Sequence, residues 1–536
     1  MKLPGMKYMD GIGKSKQIKF GGMDHNHSAK DGALWDMKNL TSSCYPLLAT
    51  RAQRALYRTL EKPGGIYSWK GLCWVDGTGF YFDGKKKGDV AEGQKVFASM
   101  GPYIVIFPDK LYYNTSTGEF GELESKWQGE KLEFIGGISY GDTAKANAIR
   151  CEGVDWNEWF RSGDGVFISG CTKHTENNKS AIIRAIDGDT LQFDENAFTL
   201  DGDEGITDYT EEGQLRIERR VPDLAWVFEN ENRMWGCTDR GIYSSKQSDL
   251  FNWNDAGDLL AGSSWSLTPE SAGDFTGGIV YKGYCTFFKE EQISKIYGSM
   301  PSNYQLMGSA TLGLAEGSGR SLAIAGETLF YLGRNGIMAY TGGVPQCIGQ
   351  PLGHSRFKNA VAGSDGLKYF VSMEDEQGAW GLYVYDTQRG VWHKEDDIHA
   401  THFARHDGNL YCLTAAGEIW VVGDAAEAPE GAEPEEAVEW MAEFADFTED
   451  DPNKKGISKL QIRLELEEGA TVTVWMQFDS DGIWRQVRTV LGEGMKRSYY
   501  LPISPRRADH YRLKLTGTGQ CRIYSLVRES YSGSEY

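Results

Sequence analysis

Thr328-Leu329-Phe330-Tyr331-Leu332-Gly333-Arg334-Asn335-Gly336-Ile337-Met338-Ala339-Tyr340 reads as two short aromatic strands joined by a tight turn. Aromatic and branched residues suit a pleated surface, and Arg334-Asn335-Gly336 offers residues that tolerate positive φ where a hairpin reverses. The plan recurs along the chain. Leu72-Cys73-Trp74-Val75, Tyr103-Ile104-Val105-Ile106, Arg233-Met234-Trp235-Gly236, Tyr284-Cys285-Thr286-Phe287, Leu367-Lys368-Tyr369-Phe370 and Asn409-Leu410-Tyr411-Cys412 each stand before a hairpin and a further aromatic strand. With residues 123–220 set aside as an insertion, these seven units begin 31 to 51 residues apart. That spacing is close to the about 40 to 50 residues of a four-stranded propeller blade.

Composition agrees with this reading. The 536 residues include 66 Gly, 27 Tyr, 23 Phe and 16 Trp, a mixture of turn formers and residues that pack on sheets. The expected fold class is therefore all-β, a roughly seven-bladed β-propeller with an inserted small β domain and a C-terminal β-sandwich. Fourth strands are visible in Phe251-Asn252-Trp253 and Gly390-Val391-Trp392-His393, but the last unit lacks one. Either Gln17-Ile18-Lys19-Phe20 or Val438–Phe444 is expected to complete it and close the ring.

Five segments follow. Residues 1–122 hold the N-terminal segment and first blades, and 123–220 hold the insertion, with Gly163–Gly170, Ala181–Arg184 and Thr190–Phe193 as short strands. Residues 221–423 hold the remaining blades, 424–451 an acidic linker and candidate closing strand, and 452–536 the sandwich. In that last segment Leu460, Ile462, Leu464 and Leu466 alternate with polar residues, as do Val472, Val474, Met476 and Phe478.

The net charge of −20 is unevenly spread: residues 424–451 hold twelve acids and no Lys or Arg, leaving −8 elsewhere. Such a balance argues against a nucleic-acid grip through a basic face, because phosphate neutralisation needs clustered cations. It leaves room for DNA sliding through a non-adhesive channel, were these acids to face a lumen; a solvated linker is the plainer reading. Met1–Asp10 lacks the apolar core of a secretory signal, and the longest apolar run, near Tyr103–Phe107, is far short of the roughly 20 residues of a membrane span. Neither secretion nor membrane insertion is expected. Nine cysteines without a CxxC pair read as free, mostly buried thiols.

Motifs for chemistry are sparse. Gly11-Ile12-Gly13-Lys14-Ser15 ends like a phosphate loop but has Tyr8 where the motif needs Gly. His399, His402 and His406 fall on different faces of a strand, which suits a blade-edge cluster better than zinc. Asp479-Ser480-Asp481-Gly482 reads as a hairpin turn, without the remaining ligands of a calcium loop. No GxSxG elbow appears, so no catalytic, cofactor or metal residue is assigned. Trp156, Trp159 and Phe160 are the candidate interaction surface; packing in the insertion's own core is the competing reading.

Glu229–Gly236, with Gly241–Lys246 and Phe251–Asn254, resembles a blade signature of propeller-type virion proteins in tailed bacteriophages and prophages. So do Ile168–His174 with Glu176–Lys179, Asp31–Leu34 with Met37–Leu40 and Tyr45–Arg51, and Leu501–Arg507 with Gly533-Ser534. The architecture is similar to tail nozzle or packaged-DNA stabilisation proteins. The resemblance implies a non-enzymatic structural part in the head-to-tail or tail assembly of a virion, made in the bacterial host cytoplasm. It also implies a symmetric homo-oligomer, other tail or connector proteins as partners, DNA passing through a channel, and no cofactor. The alternatives are a receptor- or glycan-binding tail protein that contacts host surface polysaccharide and, behind it, a polysaccharide-cleaving enzyme.

Overall fold

The computed structural model describes residues 12–26, 31–140, 144–202, 207–254, 260–353, 355–449, 454–504 and 506–532. The readings placed on Met1–Asp10 and on Asp450 and Asp451 lie outside them. Regular structure among the described residues is strand, apart from six 3-10 turns. Among the described residues no helix is long and apolar enough to cross a membrane.

Seven antiparallel meanders follow one another along the chain. Blade 1 is Pro63–Ser68, Leu72–Asp76, Gly79–Phe82 and Lys85–Asp89; blade 2 is Val96–Met100, Tyr103–Phe107, Leu111–Asn114 and Phe120–Glu122. Blade 3 is Trp226–Asn230, Arg233–Cys237, Ile242–Ser244 and Trp265–Leu267; blade 4 is Gly277–Tyr281, Tyr284–Lys289, Gln292–Tyr297 and Gln305–Ala310. Blade 5 is Ala323–Ala325, Thr328–Gly333, Gly336–Tyr340 and Gln346–Cys347; blade 6 is Lys358–Ser364, Lys368–Glu374, Trp380–Asp386 and Val391–Lys394. Blade 7 takes Ala400–His406, Asn409–Thr414 and Glu418–Val422 from one end of the chain and Ala55–Thr59 from the other.

Ala55–Thr59 thus corrects both expectations for the closing strand. Ile12–Gln17 instead pairs with Cys521–Ser532, and Glu439–Phe444 pairs with Tyr511–Thr518. Both join the sandwich, where Trp440, Ala442 and Phe444 alternate into the core while Ile12–Gln17 is held by its backbone pairing along the sheet. Gly417 makes the closure tight: at φ +93° it accepts the Leu60 amide at 2.8 Å, and a Cβ there would stand 2.2 Å from the Leu60 carbonyl. Phe251-Asn252-Trp253 is likewise not the fourth strand of blade 3; Trp265–Leu267 is, and residues 245–254 and 260–264 stand between the third and fourth strands as an excursion.

The chain divides into two compact units, Met1–Ser68 with Ala315–Tyr536, and Trp69–Leu314. In the first, two sheets face one another. One orders Leu40–Thr41, Leu48–Thr50, Cys521–Ser532, Lys455–Leu466 and Lys496–Pro502; the other orders Leu34–Lys38, Glu439–Phe444, Tyr511–Thr518, Thr471–Phe478 and Arg485–Leu491. The sandwich therefore begins well before residue 452. Its Leu460, Ile462, Val472, Val474, Leu513 and Leu515 are buried in one core with Trp392, Tyr369 and Val371 of blade 6 and Phe330 and Leu332 of blade 5. Burial of such side chains is worth about 1.5–3 kcal/mol each, so sandwich and blades stabilise one another.

In the second unit the insertion is a seven-stranded sheet built on two long strands, Ser125–Tyr140 and Tyr209–Arg219. It carries its own core of Trp127, Phe134, Trp156, Phe160, Phe193 and Ile217. A separate cluster of Val105, Phe107, Leu224, Met234 and Trp253 fills blades 2 and 3.

Candidate functional site

Lys246 and Phe251–Asn254 lie where the insertion rests on blade 3. Asp164 opens the insertion's strand Gly165–Ser169, and Asn252 lies in the blade 3 excursion. Asp164 is 3% exposed and accepts the Arg219 guanidinium at 2.6 Å, the Asn252 amide at 3.1 Å and the Arg161 backbone amide at 3.0 Å. Asn252 in turn accepts the Gly165 amide at 2.9 Å, and the Lys246 ammonium donates to the Gly163 carbonyl at 3.2 Å. The guanidinium groups of Arg161 and Arg219 both lie 5.3 Å from the Phe251 ring centre. A buried carboxylate satisfied by a guanidinium and two further donors is stable where an unpaired one would not be. The constellation fastens one β module to another.

A second clip works the same way inside the insertion. Glu211, 1% exposed, accepts the Thr172 amide and hydroxyl, both at 2.8 Å, and the Lys173 amide at 3.0 Å. Burial pushes its pKa up, but those hydrogen bonds outweigh it and hold the carboxyl below its ordinary range. Asn178 bonds both the amide and the carbonyl of Cys171 at 2.8 Å, and Asn177 donates to the Tyr209 hydroxyl at 2.8 Å. The stretch Gly170–Lys179 is thus folded against the Glu211 carboxylate and the Asn178 side chain.

Beside the first clip lies a cavity of about 400 Å³, walled by Ser162, Gly163 and Ile182 of the insertion and by Lys246, Asn254 and Leu260 of blade 3. Its two cations are engaged, Lys246 with the Gly163 carbonyl and Arg184 with Asp194 at 2.6 Å. No nucleophile with an adjacent base lines it among the described residues.

The candidate aromatic surface divides. Trp156 is 0% exposed and Phe160 2%, both in the insertion core, with the Trp156 indole donating to the Asp189 carbonyl at 2.7 Å; neither is an interaction surface. Trp159 alone reaches solvent, at 39%. The three histidines stay apart: His399 stacks on Trp380 at 3.5 Å, His402 lies within 3.3 Å of the Thr401 hydroxyl, and His406 bonds the Ser68 hydroxyl at 3.0 Å. Asp479-Ser480 is a turn with both residues at positive φ, and Asp481 is held by Arg485 at 2.7 Å. Asp479 comes within ligand spacing of Asp509 and His510, a grouping that sequence distance concealed.

The acidic segment is not a uniform solvated linker. Glu435 pairs with Arg51, Glu443 with Arg512 at 2.8 Å and Lys514 at 2.9 Å, and Glu449 with Arg528 at 2.6 Å. Glu433–Pro434 adds a fifth strand to blade 7 against Ala55–Leu56. That is the edge opposite Ala400–His406, the strand that in a propeller lies nearest the axis, so Glu433 sits towards the blade's rim.

Seven meanders, an inserted sheet and a two-sheet module define the class: an all-β chain of the β-propeller type, with added β domains. No family model and no curated protein matches it. Among solved structures it is similar to BamB from Moraxella catarrhalis, at 10% identity and a TM-score of 0.34, over 71% of this chain and 99% of that one. It is also similar to an exo-β-1,3-galactanase from Phanerochaete chrysosporium, at 10% identity and a TM-score of 0.23, over 56% and 94%. A glycoside hydrolase family 43 arabinoxylan arabinofuranohydrolase from Bacillus subtilis follows at 10% and 0.16, over 88% and 95%. Likenesses this loose carry nothing about activity.

Proposed function

We propose that this chain is a non-enzymatic structural component of a tailed-phage virion, a nozzle- or adaptor-like part of the head-to-tail or tail assembly that helps retain and pass DNA. One observation carries the reading: buried polar constellations fasten modules to one another. Asp164 with Arg219 and Asn252 ties the insertion to blade 3, and Arg51 and Arg54 with Glu395, Asp396 and Glu435 tie the N-terminal segment to blades 6 and 7. A rigid scaffold that displays added domains is what a symmetric particle needs of a subunit.

Gold-labelled antibody electron microscopy on purified particles tests this. Label at the head-to-tail junction or along the tail axis is expected. Label at fibre tips would favour host binding instead, and particles without label would sink the virion assignment.

A further inference from the structure

The free edge of the sandwich is basic. Residues 484–507 carry six Lys and Arg against one acid, in a chain of net charge −20. Their strands Arg485–Leu491 and Lys496–Pro502 are the last strands of their respective sheets, at the opposite end of each sheet order from the N-terminal strands Leu34–Lys38 and Leu40–Thr41. Arg488, Lys496 and Arg497 are exposed there. Cations on an edge strand ordinarily serve to repel other strands. Here they stand among Leu491, Met495 and Tyr500, which are 64%, 56% and 53% exposed, and protection does not call for exposed apolar side chains. Arg, Tyr and Met together are the composition of an interface.

The same chain displays the complementary surface. Glu427, Glu430, Glu433, Glu436 and Glu439 are all exposed along the rim of blade 7 and its continuation, with no Lys or Arg between residues 424 and 451. The ion pairs of this segment use Glu435, Glu443, Asp446 and Glu449 and leave those five acids to solvent. Among the described residues none of the ion pairs joins them to the basic edge.

We propose that the basic edge of the sandwich docks the acidic rim segment 427–439 of a second copy of this chain. The two surfaces are different, so the contact is head-to-tail, and repetition closes a ring or extends a filament. Exposed ion pairs contribute little singly, and Leu491, Met495 and Tyr500 supply the apolar area that makes the contact more than a salt-dependent encounter. The inference deepens the assembly reading above by naming its contact, yet it is tested in solution. Failure of the gold label would remove the location in the particle and leave this contact standing.

The test is sedimentation of the full chain and of two variants that keep the buried pairs. One is Arg488→Glu with Lys496→Glu and Arg497→Glu; the other is Glu427→Lys with Glu430→Lys and Glu436→Lys. Wild-type protein is expected to associate, about tenfold more weakly at high salt than at low salt, because exposed charges are screened. Each variant alone is expected to stay monomeric, and an equimolar mixture of the two to associate again, since each then presents what the other lost. A wild-type chain that remains monomeric, association unmoved by either variant, or a mixture that stays dissociated would each overturn the proposal. So would monomeric wild-type protein that retards duplex DNA through the basic edge, for that edge would then be reading phosphate.

Discussion

Arg54 is 2% exposed, and its guanidinium spans Glu395 and Asp396, each at 2.5 Å, in the segment that follows blade 6. Burial alone would lower its pKa, but the two carboxylates outweigh it and hold it raised. Arg54→Met leaves both acids beside an apolar chain, and the expected loss is about 3–5 kcal/mol by urea unfolding; a change within about 0.5 kcal/mol, the range of an ordinary surface substitution, would show that the guanidinium is not the tie. His393, 5% exposed in the last strand of blade 6, behaves in the opposite sense. Burial, with Lys368 nearby, holds its pKa down at about 4. The folded state keeps the ring neutral while the unfolded chain takes up a proton below about pH 6.5, so stability is full above that pH. It falls as pH drops from about 6.5 towards 4, by about 3 kcal/mol from this residue. His393→Gln is expected to flatten that part of the stability profile, and an unchanged slope would exclude the residue as its source.

At the scale of elements, the hairpin cores were legible because each depends on neighbours in sequence. Phe330 and Leu332 alternate with Leu329 and Tyr331, and Gly336 takes φ +114° at the turn where a reversal was expected. The outer strands were legible only in part: Gly390–His393 falls on the fourth strand of blade 6, while Phe251–Trp253 is not a strand of blade 3. Ala55-Leu56-Tyr57-Arg58-Thr59 looks no more like a blade strand than Gln17–Phe20 does, and its partner lies more than 350 residues away. Gly417→Ala tests that closure, since it combines a strained φ with a clash against the Leu60 carbonyl; a loss of about 2 kcal/mol or more is expected in thermal unfolding. Deleting residues 1–22 is expected to spare blade 7, which keeps Ala55–Thr59. It should destabilise the sandwich by removing Ile12–Gln17 from its sheet and Phe20 from its core. Hydrogen exchange resolved by segment separates the two: protection lost in Glu418–Val422 rather than in Cys521–Ser532 would reverse this assignment.

For the whole molecule, the cysteines give a direct check on how the interior is filled. All nine are free; Cys73, Cys171, Cys237, Cys285, Cys412 and Cys521 are buried, and Cys44, Cys151 and Cys347 are partly exposed. Burial pushes the Cys171 and Cys412 thiols up to about 12, where little thiolate exists to react. Labelling of native protein is expected to modify no more than the three partly exposed thiols promptly, and all nine after denaturation. Six or more reacting at once without denaturant would mean that the blades open readily.

Alternating apolar residues and turn formers determined, without any coordinates, that the chain is all-β, that its meanders repeat, and that residues near 123–220 interrupt them. Those signals act between residues a few positions apart, so a one-dimensional reading carries them. Which distant strand closes blade 7, which acids are spent in ion pairs, and that Trp156 and Phe160 are core while Trp159 is not were decided only by the tertiary structure. Backbone pairing between strands carries almost no side-chain code, and the burial of an aromatic or a carboxylate depends on what the rest of the chain brings to it.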